Sequence, residues 1–304
     1  MIISASRRTD IPAFYSEWLI KRLEEGFVLV RNPFNPHHLS RIRLSPEVVD
    51  FIVFWTKNPE TMLSKLDIID SFHIPYYFLF TVTSYDKDLE TNLPSKIKII
   101  DTLKKLSERI GKQRVIWRYD PILLTDKIGI QYHIRHFERL CESFIHHTER
   151  CIISFIHMYK KCIRNLKLFR IITIDDEMKI KILDSLSKIA MKYCIAVKTC
   201  ALKIELSQIE VGKCIDDRLI ADITGFELDV KKDRFQRRTC HCVESIDIGS
   251  YNTCMHGCLY CYANNDMKIA EKNFAMHNPE SPLLFGQVNA DDIIAEREMK
   301  SVTI

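Results

Sequence analysis

Apolar runs of strand length recur along the first two hundred residues, each followed by a stretch whose apolar positions have helical spacing. Runs over 2–6, 27–31, 49–56, 76–83, 114–119, 151–157 and 195–200 predict strands. Several are apolar at nearly every position, the pattern of strands buried on both faces. Residues 15–25, 59–69, 94–110, 129–147 and 175–193 predict helices between them. Such alternation predicts parallel strands covered by helices, an α/β fold. Seven strands in this rhythm fit a (β/α) TIM-type barrel better than an open sheet, which stays the alternative.

After Cys200 the rhythm changes. Residues 215–225 predict a short helix ending at Gly225, 231–238 a charged exposed stretch, 244–250 a last strand and 263–274 a last helix. The tail from Asn278 is irregular at first. No linker, repeat or low-complexity stretch intervenes, which predicts one domain over 1–304. Within it, 1–230 form the β/α body and 231–304 a cysteine-rich segment.

Polar residues gather at the expected C-terminal strand ends: Arg7, Arg8 and Asp10; Thr56, Lys57 and Asn58; Thr81 and Thr83; Arg118, Tyr119 and Asp120; Thr199 and Cys200. In a barrel these ends converge on one face, where active sites sit. Strand ends are also simply where chains turn polar. Arginine pairs with carboxylates and phosphates bidentately, so Arg7, Arg8 and Arg118 predict an anionic ligand at this mouth.

Charge narrows the functional classes little. With 44 basic and 40 acidic residues the net charge is +4, which implies no broad nucleic-acid surface. No run approaches the roughly 20 apolar residues of a membrane span, and the N-terminus lacks the order of a signal peptide. A cytoplasmic protein without membrane partners is expected. Eleven cysteines change the picture more, because stable disulfides are rare in reducing compartments. Five of them crowd between Cys240 and Cys261, which points to metal ligation. For Cys141, Cys151, Cys162, Cys194, Cys200 and Cys214 a buried small hydrophobe is the default reading.

The sharpest feature is Cys254-Met-His-Gly-Cys258-Leu-Tyr-Cys261. Three thiolates on one tight loop can hold three irons of a cubane cluster, leaving the fourth iron open. A structural zinc is the competing reading, with Cys240 and Cys242 completing a site with Cys258 and Cys261.

The spacing C-x3-C-x-aromatic-C resembles the signature of the radical S-adenosylmethionine superfamily, with Cys254, Cys258, Tyr260 and Cys261 matching position for position. The resemblance implies a [4Fe–4S] cluster on the three cysteines, S-adenosyl-L-methionine chelated by the open iron, and Tyr260 near the adenine. It also implies a 5′-deoxyadenosyl radical that abstracts hydrogen from a substrate, small or macromolecular, and an electron donor such as flavodoxin or ferredoxin. The whole chain resembles the domain of unknown function 1848 family through residues 4–12 (SASRRTDIP), 53–59 (VFWTKNP), 116–121 (IWRYDP) and 245–264 (SIDIGSYNTCMHGCLYCYAN). That resemblance implies no substrate.

Two departures from ordinary radical enzymes stand out. Their cysteine loop follows the first barrel strand, whereas here it lies some 250 residues in. A circularly permuted barrel reconciles this if strand 244–250 pairs beside 2–6. A Gly-Gly-Glu-like segment is also missing, since none of the eight glycines adjoins another.

The resulting site expectation places Arg8, Lys57, Arg118 and Asp120 in the reacting mouth, with Arg7, Asn58 and Tyr260 against the cofactor. Cys200, Cys214, Cys240 and Cys242 are candidates for a second, auxiliary cluster, since four thiolates suffice to ligate one fully. Core positions for Cys200 and Cys214, with Cys240 and Cys242 merely flanking the loop, is the alternative. His241 and His256 read as solvated or supporting residues. Two other functions compete. One is a zinc-stapled scaffold or nucleic-acid-binding module. The other is a hydrolase-type barrel, for which no nucleophile–base pair is evident.

Overall fold

The computed structural model describes residues 1–203 and 209–304. Its main sheet has eight parallel strands: β1 (Ile2–Ala5), β2 (Phe51–Thr56), β3 (Tyr76–Thr81), β4 (Val115–Ile122), β5 (Arg150–Phe155), β6 (Ala196–Thr199), β7 (Glu210–Val211) and β8 (Ile246–Asp247). They lie in the order β7-β6-β5-β4-β3-β2-β1-β8. The expected neighbour of the first strand is there, with Ile3 opposite Ile246 and Ser4 opposite Asp247.

The sheet does not close. Among the described residues no ladder joins β7 to β8, so the TIM-type barrel expected from the strand rhythm is an open sheet here. Both edge strands are only two residues long and offer too few ladder bonds to zip the seam. A backbone hydrogen bond does cross it, from Val243 N to Ile215 O (3.2 Å), beyond the ends of both strands.

Alternation along each strand sends side chains to two faces, and both are buried. On one face Phe54, Phe78 and Trp117 pack under helices, with Trp117 stacked on Phe137 at 4.8 Å and 21°. Helix Lys96–Ile110 shows why the cover forms: Ser95 caps it by accepting from Lys98 N, and Ile99, Leu103, Leu106 and Ile110 make its buried stripe. The other face carries Phe51, Val53, Tyr77 and Ile116 and is plugged by the segment around Cys214–Ile220 and Cys240–Val243. Double burial explains why β2 and β3 are apolar or aromatic at every position before their terminal threonines.

Several elements differ from expectation. Strand Phe27–Arg31 exists but leaves the main sheet, pairing antiparallel with His38–Arg43. A tail strand, Ile293–Glu296, runs parallel beside that hairpin and is exposed along its length. The helix expected over 59–69 is broken into Glu60–Leu63 and Leu66–Asp70. The last helix starts at Met267, because Asp266 caps it while Ala263, Asn264 and Asn265 are bonded into the cysteine loop. No helix among the described residues is long and apolar enough to cross a membrane.

Candidate functional site

The polar strand ends converge as expected, and the cysteine loop after β8 folds over them. Leu259 N donates to Leu89 O (3.0 Å), Asn92 N to His256 O (3.1 Å) and Thr91 Oγ1 to Gly257 O (2.8 Å). Gly257 has φ +68°, and a Cβ there would lie 2.3 Å from Thr91 Oγ1. Only glycine serves at that position, between the first two cysteines of the motif. Gly249 plays a related part where β8 leaves the sheet: a Cβ there would sit 2.1 Å from Ser6 Oγ.

Three carboxylates organise the mouth. Asp10 accepts from Thr56 Oγ1 (3.1 Å) and Lys57 N (2.7 Å) and lies 2.7 Å from His256 Nε2. The loop is thereby tied to the ends of β1 and β2. Asp247 accepts from Ser4 Oγ (2.8 Å), Ser6 Oγ (2.6 Å) and Arg7 N (2.7 Å). Glu90, almost fully buried, accepts from Lys57 Nζ (2.7 Å), Lys96 Nζ (2.6 Å), Thr83 Oγ1 (2.6 Å) and the Tyr260 hydroxyl. Burial alone would raise the Glu90 carboxyl, but Lys57 and Lys96 hold it down at about 2.

The basic residues expected at the mouth are therefore paired rather than bare. Lys57 belongs to Glu90, with its Nζ also 5.5 Å from the Tyr260 ring centroid. Arg118 pairs with Asp120, bonds Thr81 Oγ1 (3.2 Å) and lies over Trp55 (4.9 Å). Asp120 also accepts from Ser154 Oγ. Arg7 reaches Ser245 Oγ (3.1 Å) and Asp233 (3.6 Å), and Arg8 reaches Gly249 O (3.3 Å) and Asp247 (3.9 Å). An anionic ligand here would have to share these cations with resident carboxylates.

Cys254, Cys258 and Cys261 are half-buried at the rim. Burial raises the Cys254 thiol well above its ordinary range, with Cys261, Asp10 and Cys258 adding to the shift. Burial likewise raises Cys258 to about 12, against the opposing charge of Lys57. Cys261 acts on both Cys254 and Cys258, so the loop holds the three thiols within electrostatic reach of one another. Ala263 N donates to Cys261 Sγ (3.3 Å), and Asn264 Nδ2 to Cys254 O (2.6 Å).

Among the described residues, buried side-chain atoms without a hydrogen-bond partner cluster at this end of the sheet. They are Thr9 Oγ1, Trp55 Nε1, Asn58 Oδ1, Arg118 Nε and Asn264 Oδ1, with Arg22 Nε the exception elsewhere. Orphaned buried polar atoms are rare, and their concentration beside three gathered thiols fits a site built for a polar cofactor. The donor set, three thiols on one loop, fits a cluster with one open iron.

The four remaining candidate cysteines also come together, on the plugged face at the open seam. Cys214 Sγ lies 3.6 Å from Cys200 Sγ, and Cys214 N and Ile215 N donate to Cys242 Sγ (3.3 and 3.4 Å). Cys200 also contacts Cys240, which contacts Cys242. Hydrogen bonds from Cys214 and Cys240 hold Cys242 well below the ordinary thiol range despite its burial. Cys141 and Cys151 are buried in the helix-covered core and Cys162 in a smaller cluster, as the default reading has it, but Cys194 is exposed at the turn after helix Asp176–Lys192.

Sequence reasoning missed Glu90 and Asp247 as organisers of the mouth. Asp247 sits inside the 245–264 block and so carried a signal. Glu90 lies in the loop after β3 with nothing local to mark it. His256 is buried against Asp10 as a support of the loop, and His241 is exposed. A further grouping joins exposed His37 and Asp291 to the partly buried Asp292, and both Asp292 oxygens already accept from Arg31 (2.9 and 2.8 Å).

Fold and site together define a parallel α/β protein with two cysteine groups, one at the mouth of its sheet and one at its open seam. The chain belongs to the family described as domain of unknown function DUF1848, whose family model matches residues 2–263. The match runs past the last loop cysteine and leaves out the tail strand. No curated protein and no solved structure matches the chain.

Proposed function

We propose that the chain is a radical S-adenosylmethionine enzyme that binds a [4Fe–4S] cluster on Cys254, Cys258 and Cys261. The supporting observation is the placement of the cysteine loop. It follows a strand paired beside β1, and it gathers three thiols over the strand ends where unpartnered buried polar atoms collect. The sequential strand order, with β8 next to β1, supports reading the sheet as a permuted barrel opened at one seam.

When bound, the cluster would supply one electron, from a donor such as flavodoxin or ferredoxin, to cleave S-adenosylmethionine to methionine and a 5′-deoxyadenosyl radical. The chain's own residues orient and shield. Tyr260, held by Glu90, offers a buried ring beside the loop. Asn58 Oδ1, Trp55 Nε1 and Arg118 Nε are the polar atoms open to the cofactor or substrate. Arg7 and Arg8 lie just past the end of β1, where Asp247 of β8 accepts from Arg7 N and lies 3.9 Å from the Arg8 guanidinium. Asp120, bonded to Arg118 and Ser154, is the acidic group nearest that arginine.

Anaerobically purified and reconstituted protein should bind at least four irons with matching sulfide. After reduction by dithionite it should convert S-adenosylmethionine to 5′-deoxyadenosine. Replacing Cys254, Cys258 and Cys261 together by alanine should remove the sulfide and the activity. Folded, reconstituted protein that holds no labile sulfide would overturn the proposal.

A further inference from the structure

The seam cysteines carry an inference that does not rest on the radical reading. Cys200 directly follows β6, Cys214 follows β7, and Cys240 and Cys242 precede β8. Three separate stretches of chain thus deliver four thiols to one buried region, each cysteine no more than 8% exposed. None is in a disulfide. Their contacts form a ring, Cys200 to Cys214 to Cys242 to Cys240 and back. Four core cysteines have no packing reason to turn every sulfur toward another sulfur, because apolar neighbours would serve each equally.

We propose that Cys200, Cys214, Cys240 and Cys242 together bind a single thiophilic metal ion, zinc or iron, that staples the open edge of the sheet. In a tetrahedral site with metal–sulfur bonds of about 2.3 Å, neighbouring sulfurs lie about 3.8 Å apart. The 3.6 Å between Cys200 and Cys214 matches that spacing, while no three of the four sulfurs lie within 4.8 Å of one another, so opposite corners of the ring must draw in around the ion. In a cubane each thiolate binds a different iron, which holds the sulfurs further apart.

The surroundings suit a charged four-thiolate centre. Cys242 Sγ already accepts two backbone N–H groups. Four thiolates around a divalent ion leave two negative charges, and two guanidinium groups, Arg7 and Arg118, stand within electrostatic reach. Four protein ligands leave no open position, which is the arrangement of structural rather than catalytic sites. The location says what the ion does. β7 and β8 share no ladder, and the ion would tie the residue after β6, the loop after β7 and the entry to β8 into one knot.

The test uses the full chain with Cys254, Cys258 and Cys261 replaced by alanine, so that the mouth holds no metal. Zinc, iron and labile sulfide are measured per chain after purification and after addition of zinc or ferrous ion. The expected result is about one zinc or one iron per chain with no sulfide, and the metal found decides between the two. Adding Cys240→Ser and Cys242→Ser should reduce it at least fivefold. Cobalt(II) in its place should show the visible and thiolate charge-transfer bands of a four-sulfur tetrahedral site. If the serine variant does not fold, titrating the alanine variant with a mercurial should release the metal as four thiols react. Folded alanine variant that takes up neither metal would overturn the proposal. So would labile sulfide matching iron, or metal retained after the serine replacements. The radical reading stands or falls separately, on the sulfide and activity of the unaltered chain.

Discussion

Two groups of cysteines sit on the same sheet and are built in opposite ways. At the mouth, Cys254, Cys258 and Cys261 share one loop, are half-buried, and lie among carboxylates, cations and unpartnered polar atoms. At the seam, Cys200, Cys214, Cys240 and Cys242 come from distant stretches, are buried, and face one another. Local spacing makes the first group and long-range folding the second. A loop that supplies three ligands leaves room for a fourth partner from outside. A ring of four closes on itself. The difference teaches that thiol count alone does not assign a role: what decides is whether the surroundings leave something unsatisfied.

Arg118 lies between the two groups, paired with Asp120 and with Cys214 and Cys200 in electrostatic reach. Replacing Arg118 by alanine strands the Asp120 carboxylate in a mostly buried position. Breaking a buried pair in this way costs about 3 kcal/mol in chemical denaturation. Metal and sulfide contents of the folded variant should stay unchanged while S-adenosylmethionine cleavage falls. Loss of metal along with stability would make the two groups one coupled unit and end the distinction drawn above.

A control comes from the face that carries neither group. His133 is buried, with Nδ1 2.7 Å from the Tyr119 hydroxyl and Nε2 2.9 Å from Leu123 O. Burial lowers it from 6.5 to about 4. As pH falls below 6.5 the unfolded chain therefore takes up a proton that the folded chain refuses. Its share of stability is whole above 6.5 and is lost between 6.5 and about 4, by about 2 to 3 kcal/mol. Urea unfolding at pH 7, 5.5 and 4.5 should show that slope in the native protein and its loss in His133→Gln. Equal slopes in the two would mean the acid sensitivity arises from the cysteine sites instead.

Gly257 sharpens the picture at the mouth. Its φ of +68° and the 2.3 Å approach to Thr91 Oγ1 leave no room for a side chain. Gly257→Ala should cost about 2 kcal/mol through left-handed strain and the displaced threonine. It should lower iron and sulfide incorporation while leaving the seam metal in place. The smallest effect is expected at His37, exposed beside Asp291 and Asp292. His37→Ala should change stability by no more than about 0.5 kcal/mol and leave bound metal unaltered. A larger change in either would bring a third candidate metal site into the comparison.

The sequence by itself determined the local parts of this protein. Periodicity marked six of the eight main-sheet strands in advance and β8 by its place before the loop, because alternation and caps are written in adjacent residues. The three mouth cysteines were legible for the same reason: their spacing lies within eight residues. The polar ends of the strands were legible too, since parallel strands must all end on one side. Tertiary structure decided the rest. It moved Phe27–Arg31 out of the main sheet, because its edge is taken by His38–Arg43 rather than by a parallel neighbour. It left the barrel open, since two-residue edge strands cannot zip a seam. It also put Glu90 under Lys57 and Tyr260, and brought Cys200 to Cys214 and Cys240 to Cys242 in one region. A pattern of apolar and polar positions tells each segment which face to bury. It does not say which distant segment will be buried against it, and both the ion pairs of the mouth and the thiol ring at the seam depend on that.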